Sequence, residues 1–226
     1  MAAILKARSI TQSGDGTDTY LRMVLSGELA VADYFAIKAM KGQMFNASSI
    51  SVTTPTTWTA TATIDITKPA LFLSVPTNKV IIPVEIVLYM EAFGTTAQFE
   101  CQAVIGTGGS WASGGTAITP VCTRSDLSNT SGCSVYAGGN TIVTVGQTAK
   151  LNYFWRDGQQ FAITKTTGSA TASVTDPCRF VWRASDGYNL NIAGPSSQLQ
   201  INQGSQAGTG FVTLVYAEIP SSELPT

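Results

Sequence analysis

The sequence contains no histidine, and only 12% of its 226 residues are charged, about half the roughly 25% of an ordinary soluble domain. Without His there is no Ser-His-Asp or Cys-His machinery, no His-ligated zinc and no imidazole pH switch. Thirteen basic residues against fourteen acidic ones give a net charge of −1, with no basic run. That argues against a nucleic-acid partner. It also leaves little like-charge repulsion between copies of the chain, which suits a surface packed against neighbours better than a solitary one. Long apolar runs are missing as well. The longest, Ala70–Val75 and Val80–Met90, fall short of the ~20 residues of a membrane span, and Pro83 and Glu85 interrupt the second. The opening Met1–Arg8 lacks a signal-peptide core, so no membrane partner is expected and the chain reads as made in a cytoplasm.

Cysteine is scarce. Cys101, Cys122, Cys133 and Cys178 show no C-x-x-C spacing, so neither zinc nor thioredoxin-like chemistry is indicated. Cys101 and Cys178 fall in strand-like alternations and read as small buried apolar residues. Cys122 and Cys133 flank polar sequence and could close a loop by a disulfide, which a cytoplasmic origin opposes.

What the chain has in place of charge is about 50 Ser and Thr residues. Many lie in period-2 patterns. From Trp58 to Ile66, the even positions are Trp, Ala and Ile, and the odd ones are Thr and Asp65, which predicts a half-buried strand with a polar face. Val80–Ala92 repeats the alternation, with Pro83 requiring an edge or a bulge. Ala97–Ile105 alternates in the opposite phase, and Gly94 between the two runs predicts a hairpin. Glu85, Glu91 and Glu100 could then meet as the paired carboxylates a glycosidase needs, but solvent-facing or interface positions on the polar side of a strand are the preferred reading. Further strands are expected at Lys150–Trp155, Gln160–Lys165, Cys178–Trp182, Asn189–Ile192, Gln198–Ile201 and Gly210–Ile219. Asp157-Gly158 marks a turn between the first two. Gly210–Ile219 is apolar on both faces, as a central strand should be.

One short helix is predicted, with Asp33 as N-cap, Tyr34–Lys41 as its body and Gly42 at its end. A small hairpin around Ser26-Gly27 precedes it, and residues 1–20 form an arm. The stretches Gly106–Gly115 and much of Thr123–Asn140 read as loops. Asp15 and Asp18 among Gly and Thr make a turn and lack the spacing of a calcium loop. Trp58, Trp155 and Trp182 belong to the core. Trp111, in the glycine-rich loop, either folds back on its own domain or offers an exposed ring to a sugar or a partner. The fold class is therefore all-β, an antiparallel β-sandwich or jelly roll with one short N-terminal helix and an N-terminal arm. Residues 1–45 hold the arm, hairpin and helix, and residues 46–226 the sandwich.

The order of features is similar to a known group. A polar arm leads into Ser26-Gly27-Glu28-Leu29-Ala30-Val31-Ala32-Asp33-Tyr34 and the short helix. A Thr-rich strand follows, then Leu71-Phe72-Leu73-Ser74-Val75-Pro76-Thr77-Asn78-Lys79-Val80-Ile81-Ile82-Pro83, and finally the strand from Gly210-Phe211 to Ile219-Pro220. This layout resembles virion structural proteins of tailed bacteriophages, especially jelly-roll capsid decoration, or cement, proteins. The resemblance implies a non-enzymatic protein, without cofactor or metal, that self-associates as a homotrimer and clamps a major capsid protein in the virion. Ile4, Leu5, Tyr20 and Leu21 would anchor the arm, with Trp111 a further interface residue. The alternatives are a tail, neck or tail-fibre component, or a receptor- or glycan-binding module built on the loops at Gly106–Gly115 and Thr123–Asn140.

Overall fold

The computed structural model describes residues 34–49, 53–58, 64–93, 98–138, 144–145, 150–160, 178–184, 190–204 and 208–223. Within them one helix, α1 (Tyr34–Met40), precedes a succession of strands. These are β1 (Met44–Ser48), β2 (Thr56–Trp58), β3 (Leu71–Ser74), β4 (Lys79–Phe93), β5 (Gln98–Thr107), β6 (Trp111–Ser113), β7 (Thr116–Ile118) and β8 (Val121–Cys122). Then follow β9 (Ser134–Ala137), β10 (Thr144–Val145), β11 (Lys150–Gln160), β12 (Cys178–Arg183), β13 (Ile192–Ala193), β14 (Ser197–Gly204) and β15 (Gly208–Pro220). The chain is an all-β antiparallel sandwich with one short helix.

The first sheet runs β12-β4-β15-β1-β8, with β13 also beside β4 and β2 also beside β15; the second runs β11-β5-β14-β3-β9-β7. Eight strands carry the plan. In chain order they pair first with last and so inward: β1 with β15, β3 with β14, β4 with β12, and β5 with β11. The ribbon so formed is wrapped, so that β15 also pairs β4 and β14 also pairs β5. Each sheet thus contains strands from both ends of the chain.

The core lies between the sheets and follows the alternation. Leu71, Leu73, Phe99, Cys101, Ala103, Leu199 and Ile201 point inward from the second sheet. Ile86, Leu88, Met90, Phe180, Trp182, Val212, Leu214 and Tyr216 meet them from the first. Trp58 is buried and Trp155 packs half-buried against the same core. β15 is central in its sheet, which explains why both its faces are apolar: Val212, Leu214 and Tyr216 face the sandwich, while Ala217 and Ile219 join Met44, Val80 and Ile82 beneath α1.

Several expected elements differ. β4 and β5 are not a hairpin; they lie in different sheets. Alternation reports which face is buried, and two facing strands of a sandwich satisfy it as well as two adjacent ones do. Asp157-Gly158 is not a turn. Both residues sit inside β11, opposite Cys101 and Glu100, so the first expected strand continues to Gln160, while residues 161–165 of the second lie outside the described residues. A Cβ at Gly158 would stand 3.0 Å from the Phe99 carbonyl oxygen, so this glycine serves close strand approach. Ile64–Ile66 leave the strand pattern because Asp65 caps a turn, its Oδ1 accepting from Thr67 N–H at 2.9 Å and Thr67 Oγ1 at 2.6 Å. The glycine-rich stretch is partly strand, being occupied by the end of β5 and by β6.

The bulge expected at Pro83 is present. The register with β15 slips between Val215↔Glu85 and Tyr216↔Pro83. On the other side β12 reaches Glu85 and β13 begins at Ile81, so the missing N–H of Pro83 falls between their ladders.

Candidate functional site

The expected arm anchors Ile4, Leu5, Tyr20 and Leu21 lie outside the described residues, as do the hairpin around Ser26-Gly27, the Asp33 cap and the Asp15/Asp18 turn. Trp111 is on β6, opposite Val145 of β10. Its ring stacks on Tyr136 at 4.5 Å and 6°, and its N–H donates to the Gly114 carbonyl at 2.9 Å. The ring therefore folds back on its own domain yet stays 41% exposed.

The three glutamates do not converge. Glu85 pairs with Arg183 at 2.8 Å in the first sheet, and Glu100 pairs with Arg156 at 2.9 Å in the second. The assignment of β4 and β5 to opposite sheets removes the paired-carboxylate geometry. Among the described residues no group of three or more Cys, Asp or Glu side chains could hold a metal. No helix among them is long and apolar enough to cross a membrane.

Cys101, Cys122 and Cys133 are free thiols, so the loop-closing disulfide is absent. Cys122 Sγ points to the Gly42 carbonyl at 3.7 Å, while Cys133 is buried beside Glu218. Burial, reinforced by the Glu218 charge, pushes the Cys133 thiol up to about 12, and burial raises Cys101 further. The expected labelling pattern at pH 8 is alkylation of Cys122, with Cys101 and Cys133 protected until the chain unfolds. Peptide mapping after non-reducing digestion checks this; a linked Cys122–Cys133 peptide would refute it.

The most unusual surface is helix α1. It packs on the outer face of the first sheet through Phe35 and Ala39. Its buried polar position is Lys38, 4% exposed, which pairs with Glu223 of the C-terminal 3-10 turn and lies 5.2 Å from the Tyr34 ring centroid. The Lys38 hydrogen bond holds the Glu223 carboxyl below its usual range, against partial burial. The apolar residues Tyr34, Ile37 and Met40 face outward instead, 45%, 36% and 56% exposed. Positions i, i+3 and i+6 share one side of a helix, so α1 shows water an apolar stripe and buries a charge. Its end is fixed as expected. Gly42 takes φ +67°, its N–H donates to Ala39 O, and Gln43 N–H donates to Lys38 O. Arg124 donates to the Met40 carbonyl and pairs with Asp126, tying the loop after β8 to the helix end. Val121, on the edge strand β8, is 67% exposed. In the sequence, the 34/37/40 spacing of Tyr, Ile and Met is the signal for the stripe.

A second cluster pins the loop before β9 to β15. Glu218, 4% exposed, accepts from Ser131 Oγ at 2.6 Å and from Gly132 N–H at 3.0 Å, and pairs with Lys79 at 3.1 Å. Ser131, having given its proton to Glu218, accepts from Tyr216 OH at 2.7 Å and from Cys133 N–H at 3.1 Å. Burial pushes the Tyr216 phenol above its ordinary range. With the Ser131 hydroxyl engaged on all sides, the cluster is built to hold chain segments together. No protein-family model matches this chain, and no curated protein or solved structure matches it either.

Proposed function

We propose that this chain is a non-enzymatic virion structural protein, a capsid decoration or cement protein with a jelly-roll fold that self-associates as a trimer. The observation that carries the reading is the strand order. Eight strands paired first-to-last and wrapped into two four-strand sets support the jelly-roll reading, an architecture used by viral capsid proteins and lectins. This is a fold-level argument, joined to the sequence resemblance given above.

The α1 stripe supports the adhesive part. Tyr34, Ile37 and Met40 lie on the side of the sheet that also carries the edge strand β8 with Val121. A charged residue turned inward and apolar residues turned outward lose stability in a monomer and recover it on association. The occupant we assign is a second copy of this chain. A net charge of −1 spread over few charged groups opposes such contact very little.

Two measurements test this. Mass spectrometry of purified particles is expected to find the chain at hundreds of copies, in fixed ratio to the major shell protein. Six or twelve copies would assign it to a neck or tail, and its absence would end the virion reading. Light scattering on the isolated chain is expected to give a trimer, and the double change Ile37→Glu and Met40→Glu to weaken association by about a hundredfold, roughly 2.7 kcal/mol. Unchanged assembly would remove α1 from the interface.

A further inference from the structure

The outer face of the second sheet holds a cleft that the self-association reading does not use. Its origin is a bulge in β11. The register with β5 moves from Tyr153↔Val104 to Trp155↔Ala103, so Phe154 and Trp155 share one opposing position. Both pack toward the core, Phe154 edge-on to Trp182 at 5.2 Å. Two successive inward side chains leave a gap on the outer face between Tyr153 and Arg156. A cavity of about 380 Å³ lies there, lined by Gln102, Tyr153, Phe154, Trp155 and Arg156. That volume falls within the range of about 300–1,000 Å³ usual for small-molecule sites.

The chemistry of the lining is specific. Gln102 is only 6% exposed, and it lines the cavity. Directly across the β5–β14 ladder is Asn202, fully buried, with neither its amide nitrogen nor its oxygen partnered. A buried amide left unpaired, as at Asn202, costs about 1–3 kcal/mol. Arg156 on the rim is tied to Glu100 at 2.9 Å, which offsets its charge. Tyr153, 55% exposed, supplies an aromatic wall.

We propose that this cleft binds a neutral sugar ring of a glycan. The donor and acceptor of the Gln102 amide, together with the guanidinium donors of Arg156, match adjacent hydroxyl groups. The Tyr153 ring matches the apolar C–H face of a pyranose. The absence of net charge in the lining disfavours phosphate, sulfated or cationic ligands. The site lies on a sheet face, and none of its lining residues belongs to the two loops that the sequence put forward for glycan binding.

The test is a glycan array carrying neutral and acidic saccharides, probed with the full chain, followed by titration calorimetry with the best neutral ligand. Saturable binding is expected, weakened about tenfold or more by Tyr153→Ala. Gln102→Leu keeps the side chain's size and removes the amide that lines the cavity, so it should abolish binding while leaving the melting temperature unchanged. Trp111→Ala should bind like the unaltered chain. No binding to any neutral glycan would overturn the proposal, as would binding that Trp111→Ala abolishes and Tyr153→Ala spares. Particle copy number and trimer formation are read separately, so either result leaves the structural reading to its own tests.

Discussion

Gly194→Ala is expected to destabilise the protein by about 3–5 kcal/mol, enough to prevent accumulation of folded chain. Gly194 follows β13, and its N–H donates to the Lys79 carbonyl at 2.9 Å. A Cβ there would come within 1.9 Å of the Pro76 carbonyl oxygen and 2.6 Å of its carbon. Both atoms are backbone, so no rotamer change relieves the contact. The link between β3 and β4 would have to move, and with it the start of the strand that spans the first sheet. Gly138→Ala is the matched control. The nearest atom to a Cβ there is the Pro69 carbonyl oxygen at 3.4 Å, an ordinary contact. Urea unfolding of both variants decides the matter: a Gly194→Ala midpoint equal to that of Gly138→Ala would show that the β3–β4 link yields easily.

Glu218→Ala is expected to cost about 2–4 kcal/mol. The carboxylate receives Ser131 Oγ–H, the Gly132 N–H and the Lys79 ammonium. Removing it leaves the Ser131 hydroxyl and the Gly132 N–H without their acceptor and Lys79 without its partner. Lys79 is 39% exposed and can turn to water, which keeps the loss below that of a wholly buried pair. Glu218→Gln retains an acceptor and should lose about half as much. Hydrogen exchange at Gly132 and Cys133 provides the local measurement. Protection there should fall in Glu218→Ala before the core amides of β14 respond. Unaltered protection would mean that the loop is held by other contacts.

Much of the fold is legible residue by residue. The inward set Phe99, Cys101 and Ala103 alternates against Gln102, and the helix end at Gly42 needs only local chemistry. The central position of β15 is written in its two apolar faces. Other features are not local. Glu218 shares a phase with Tyr216 and Leu214, a position that predicts an apolar residue. Its partner Ser131 is 87 residues away along the chain. Asp157-Gly158 has turn chemistry, but a ten-residue ladder with β5 overrides it. The cleft rests on a bulge, and a bulge follows from how two strands must curve to close the sandwich, which no single strand records.

By itself the sequence determined the period of each segment, and with it an all-β chain whose outer strand faces are Thr and Ser in place of charge. It determined too that any chemistry must proceed without histidine. Only the tertiary structure decided which strands are neighbours, because a period of two is satisfied equally within one sheet and across a sandwich. That choice separated Glu85 from Glu100, turned the apolar stripe of α1 outward, and set Gln102 opposite the buried amide of Asn202. These are relations between distant segments, and the wrapping of one strand ribbon creates them.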